Sequence, residues 1–145
     1  MSDLLVDITP SSIGSPELPL AEHLHAGFPS PAADYTERID ITREIVRHPD
    51  TTFYARIDGD SMREAGIFSG DIVVIDRSLQ ASDGDYVAAY IDGEFTVKEF
   101  RPDPANQCAW LIPHNSRFEP ICITQENSFL VWGVITHTIH DVRAM

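Results

Sequence analysis

From Thr52 onward, apolar and polar residues alternate with the period of a pleated strand. Phe53, Ala55 and Ile57 are separated by polar neighbours, and Asp71 to Ile75 forms a short apolar run. Such patterns predict half-buried and buried strands respectively. Residues 86–91 and 94–100 flank Asp92-Gly93, a two-residue hairpin signal. Further strands are expected at 108–112, 120–124 and 128–139. Gly59, Gly66, Gly70, Gly84 and Gly93 punctuate the chain at turn-like intervals. Ahead of these strands, Ile41 to Arg47 reads as a short helix, capped by Asp40 and stopped by Pro49. The expected fold is mostly β: a compact antiparallel domain over residues 41–145.

Residues 1–40 break this pattern. They hold five of the ten prolines (Pro10, Pro16, Pro19, Pro29 and Pro31), seven acidic residues and one arginine. That density of proline and charge predicts an extended, poorly packed arm. Weak helical spacing occurs within it only from Leu18 to Leu24. At 145 residues the chain fits one domain with a sizeable core. Its 43% apolar content and mean hydropathy of −0.13 are those of an ordinary soluble protein. No apolar run approaches the ~20 residues that cross a bilayer. The start, Met1 to Asp7, lacks the basic and apolar regions of a signal peptide, so a cytoplasmic location and no membrane contact are expected. Cys108 and Cys122 are too few for a disulfide framework and read as free thiols.

A net charge of −13 changes the picture by exclusion. Phosphate neutralisation dominates nucleic-acid affinity, and no Lys/Arg cluster offsets this acidity. Direct DNA binding is not expected.

Candidate chemistry centres on one residue. Lys98 is the only lysine, and the other nine basic side chains are arginine. A buried lysine can lose its proton, whereas arginine effectively cannot. A genome that favours arginine would also leave a solitary lysine by chance. Ser61 lies 37 positions earlier in Gly59-Asp-Ser-Met62, between a strand and a glycine-rich turn. Such a turn can present a hydroxyl at a surface and leave the backbone N–H of Asp60 or Ser61 for an oxyanion. A serine hydroxyl needs a base, and no motif places a histidine to serve. His23 and His25 lie in the arm, and His137 and His140 fall on opposite faces of a predicted strand. Lys98 is the better candidate. Its pKa would have to fall from ~10.4 toward ~7–8, which an apolar pocket can impose. Thr96 and Phe100 should share the Lys98 face, with Glu99 pointing away. On spacing alone, Ser61 remains equally readable as a turn serine.

Three runs carry a resemblance: Gly59-Asp-Ser-Met62, Gly70-Asp-Ile-Val-Val-Ile-Asp76 and Asp92-Gly-Glu-Phe-Thr-Val-Lys98. With Leu111-Ile-Pro-His-Asn-Ser116 and Trp132-Gly-Val-Ile135, in that order and spacing, residues 24 to about 142 resemble the LexA/UmuD family of self-cleaving serine–lysine peptidases. The resemblance implies the fold of the LexA C-terminal domain and signal peptidases, with Ser61 as nucleophile and Lys98 as general base. It implies no metal and no cofactor. It also implies self-cleavage between Ala26 and Gly27, because Phe28 to Tyr35 is similar to the segment after the cleavage site in the UmuD branch. Ala26 stands where the best-known UmuD has cysteine, and LexA-type proteins use alanine there. Only 26 residues precede the bond, too few for the helix-turn-helix of a repressor, which needs roughly 60 or more.

The family reading further implies a DNA-damage-response homodimer that cleaves itself on meeting the RecA–single-stranded DNA filament. Its product, residues 27–145, would then join a UmuC-like translesion polymerase. Two alternatives stay open: a regulatory relative of LexA that acts by heterodimerising, and a signal-peptidase-like enzyme acting on other chains.

Overall fold

The computed structural model describes residues 4–10, 17–20 and 37–144. The strands are β1 (Leu4–Pro10), β2 (Glu17–Leu20), β3 (Glu37–Asp40), β4 (Thr52–Asp58), β5 (Ile72–Asp76), β6 (Tyr86–Ile91), β7 (Glu94–Asp103), β8 (Cys108–Ile112), β9 (Ile121–Ile123) and β10 (Phe129–Ile139). Eight of them form one antiparallel sheet in the order β1-β4-β5-β10-β6-β7-β8-β9, and β2 pairs with β3. The one α-helix among the described residues, α1 (Ile41–Ile45), begins where Asp40 accepts from the Arg43 N–H at 3.3 Å. The mostly antiparallel β architecture and the position of this cap are those expected from the sequence.

Period-two patterning accounts for two core clusters. β6 turns Ala88 toward Ala55, Ile57, Val73, Ile75 and Val97. It turns Val87, Ala89 and Ile91 toward Leu111 and Ile123. A strand covered on both faces means that the sheet coils around itself, as strongly twisted sheets do. β10 makes the turn possible. Residues 129–134 pair with β6 and 134–139 pair with β5, with register shifts in both ladders. At the changeover stands Gly133, where a Cβ would lie 2.5 Å from Ile75 Cγ2. The Asp92-Gly93 turn joins β6 to β7 as the dipeptide predicts. Both residues have positive φ (49° and 89°), as a type I′ hairpin requires.

Two findings concern the amino-terminal region. The helical spacing from Leu18 to Leu24 does not form a helix where described, since residues 17–20 are strand β2. Pairing with β3 (Leu18 opposite Ile39) satisfies backbone groups that Pro19, lacking an N–H, could not serve within a helix. Residues 4–10, expected to be extended, pair with β4 (Leu5 opposite Ile57). Ile8 packs on the first core cluster.

Candidate active site

The turn after β4 carries Ser61 and is held from several directions. Met62 is fully buried in the first core cluster, which anchors the backbone next to the serine. Gly59 adopts φ 128°, a region open to glycine, and its N–H donates to Ser69 Oγ at 3.2 Å. The Asp60 carbonyl accepts from the Arg63 N–H and from the Asn115 side-chain amide at 2.8 Å. The loop after β8 completes the frame. His114 N–H donates to the Ser61 carbonyl, and Glu64 N–H donates to the His114 carbonyl, each at 2.7 Å. Ser61 is fully buried rather than displayed on a surface, because this loop closes over the turn. Beside it, a cleft of about 380 Å³ is lined by Asp60, Arg63, Glu64, Asn115, Ser116 and Arg117.

Lys98 lies in β7 opposite Val87 of β6, and only 3% of it is exposed. Its amine donates to Thr96 Oγ1 at 2.6 Å and to the Val97 carbonyl at 3.2 Å. Thr96 is fully buried and shares the Lys98 face, as strand alternation dictates. Glu99 points to the opposite face, as expected. There it pairs with Arg101 at 2.5 Å and with His114 Nε2 at 2.7 Å. β7 and β8 pair with Glu99 opposite Ile112, two residues before His114. One ladder therefore carries both Lys98 and the loop that grips the serine turn.

Alternation along the strand placed Thr96 on the Lys98 face, and the structure adds the hydrogen bond between them. Sequence reasoning missed His114, Asn115 and Glu99 as supports of the turn. They meet only through the β7–β8 register. His114 also packs edge-on against Tyr86, with ring centroids 5.4 Å apart. His140 lies just beyond β10, where its ring pairs with the buried Asp71. Asp71 also accepts from the Phe68 N–H, bracing the loop that precedes β5. Ala26, Gly27, His23 and His25 lie outside the described residues. Among the described residues, no cluster of three or more side chains could hold a metal ion. None of the described helices is long and apolar enough to cross a membrane.

The Peptidase S24-like family matches residues 19–136, which include the serine turn, the lysine strand and the loop that joins them. The chain belongs to this family. It is 42% identical over 128 residues to the protein ImpA of Escherichia coli, covering 86% of this chain and 84% of ImpA. It is 43% identical over 124 residues to SamA of Salmonella typhimurium, covering 85% and 84%. Likeness to the LexA repressor of Carboxydothermus hydrogenoformans is 38% over 130 residues, which cover 88% of this chain and 62% of that longer repressor. The LexA/UmuD-type serine peptidase expected from the sequence motifs is thus the family found.

Proposed function

We propose that this protein is a UmuD-like actor in the DNA-damage response that cleaves itself between Ala26 and Gly27, using Ser61 as nucleophile and Lys98 as general base. The observation that carries this reading is Lys98: the chain's single lysine, buried in a sheet interior beside a threonine hydroxyl. Burial disfavours an ammonium, and a neutral amine has the lone pair a base requires.

The chemistry then runs in two steps. Lys98 Nζ takes the Ser61 hydroxyl proton as Oγ attacks the Ala26 carbonyl carbon. The Asp60 or Ser61 N–H steadies the oxyanion. The Ala26–Gly27 C–N bond breaks, the proton passes to the Gly27 amine, and Ala26 remains esterified to Ser61. Water, activated by Lys98, hydrolyses that ester. Residues 1–40 act as the arm that carries the cleavage site, and residues 41–145 as the catalytic domain. Tethering gives the arm a high effective concentration, and Gly27 lets the backbone adopt angles other residues resist.

In the cell, contact of a homodimer with the RecA–single-stranded DNA filament triggers cleavage, and the 27–145 product serves a UmuC-like translesion polymerase. The acidic surface, with a net charge of −13, suits a protein that reaches DNA through partners.

The experiment is amino-terminal sequencing of purified protein held at alkaline pH, with and without activated RecA filament. A fragment beginning at Gly27 is expected, and it should be absent in Ser61→Ala and Lys98→Ala. His114 touches the Ser61 backbone and is paired with a carboxylate, so His114→Gln is the informative control. It should still cleave. A loss equal to that in Ser61→Ala would move the base from Lys98 to His114.

A further inference from the structure

The outer face of the β8–β9 edge carries a feature that the serine and lysine do not use. Ala109 opposes Ile123 and Trp110 opposes Cys122. Cys108 is two residues before Trp110 and so lies on the same face, diagonal to Cys122 across the ladder. The core-facing positions of these two strands are Leu111 and Ile123, which leaves the cysteines on the solvent side. Cys122 lies near enough to help hold the Cys108 thiol in its protonated form, and Cys108 Sγ reaches Asp103 Oδ2 at 3.9 Å. Cys122 is exposed and Cys108 half-buried.

We propose that Cys108 and Cys122 form a reversible dithiol–disulfide site, oxidised by low-molecular-weight disulfides and reduced again by thiols. The two cysteines have distinct tasks. Burial, followed by the neighbouring Cys122 and Asp103, pushes the Cys108 thiol up to about 11. A thiol that holds its proton this firmly is a poor first nucleophile. The exposed Cys122 thiolate therefore attacks the incoming disulfide RSSR, forming a Cys122–S–S–R bond and releasing RS⁻. Cys108 then loses its proton and attacks the Cys122 sulfur, releasing the second RS⁻. In sum, two protein thiols are oxidised to one disulfide, one RSSR is reduced to two RSH, and both thiol protons end on the released thiols.

The sulfurs must close to about 2.05 Å. The strand that has to move is suited to it. β9 has three residues and stands at the sheet edge, with β8 as its one neighbour among the described strands.

This bond would cross-link β8 and β9, the two strands that flank the loop gripping the serine turn. Between the two cysteines lie His114, which donates to the Ser61 carbonyl, Asn115, which donates to the Asp60 carbonyl, and Ser116, whose N–H donates to Glu64. A shorter excursion for that loop means slower opening around Ser61.

The full chain is incubated with oxidised glutathione near neutral pH and followed by thiol titration, intact mass and non-reducing electrophoresis. The expected product migrates as a single chain, has lost the mass of two hydrogens, and shows no titratable thiol. Dithiothreitol restores both thiols, and amide exchange in residues 113–118 slows in the oxidised form. Cys108→Ser should instead trap glutathione on Cys122. If Cys108→Ser does not fold, disulfide mapping of the wild-type chain decides the same point. Two unreacted thiols, a lasting glutathione adduct on the wild-type chain, or disulfide-linked dimers would each overturn the proposal.

Discussion

Thr96 is the residue that gives Lys98 a direction. Its hydroxyl, fully buried and 2.6 Å from the amine, holds the side chain proposed as the general base. Thr96→Val keeps the shape and β-branching but removes this partner. Losing one such hydrogen bond is worth about 1.4 kcal/mol, so the self-cleavage rate should fall about tenfold. A time course of Gly27-fragment appearance measures this, Thr96→Ser should restore the rate, and an unchanged rate in Thr96→Val would remove Thr96 from the account. At this scale the sequence singled out Ser61 and Lys98 as candidates, because a unique lysine and a Gly-Asp-Ser-Met turn are visible in one dimension; the structure finds both side chains buried. Glu99 and His114 are fifteen positions apart and meet only once β7 and β8 have paired. Nothing in their immediate neighbours signals the contact.

Among the elements, those with strong local signals were legible. The Asp92-Gly93 hairpin, the Asp40 cap and β8 follow from turn chemistry, side-chain capping and an apolar run. The segment at 17–20 misled because two apolar residues in a proline-rich stretch carry little periodicity, and pairing with β3 decided its state. The end of β5 offers a test of element stability. Asp76 is 4% exposed. It accepts from the Ser78 N–H and hydroxyl and from Thr51, and it pairs with His48 at 2.6 Å. Burial pushes its carboxyl up, but the hydrogen bonds from Ser78, His48 and Thr51 together outweigh burial and hold it below its ordinary value of 3.8. A depressed folded pKa gives stability that is present above the ordinary carboxylate range and is lost as pH falls through the folded value. Asp76→Asn should therefore unfold more readily at neutral pH, and its deficit against wild type should shrink below about pH 4. Denaturant midpoints measured across that range check this, and a constant deficit would contradict it.

For the molecule as a whole, the strand order could not be read from the pattern. Alternation shows that a segment has a buried face, but β10 is shared between β5 and β6 through a bend at Gly133, and that is settled by packing. The same limit hid the role of residues 4–10, whose β1 lies along β4. Cleavage at Ala26–Gly27 would sever β1 and β2 from the remaining chain. The 27–145 fragment should stay folded on its two core clusters while β4 becomes a sheet edge. Faster amide exchange in residues 53–58 is expected, together with a melting midpoint lower by about 5 °C, since losing the packing of Ile8 costs about 1–2 kcal/mol. Unchanged exchange in β4 would contradict the pairing. The central claim is that a neutral Lys98 drives the cut, and its most direct test is the pH dependence of self-cleavage in the wild-type chain and in Lys98→Arg. The wild-type rate should rise with pH as the amine loses its proton, and Lys98→Arg, which keeps its charge throughout, should yield no Gly27 fragment at any pH. A Lys98→Arg protein that still cleaves, or a wild-type rate that does not change with pH, would contradict the account.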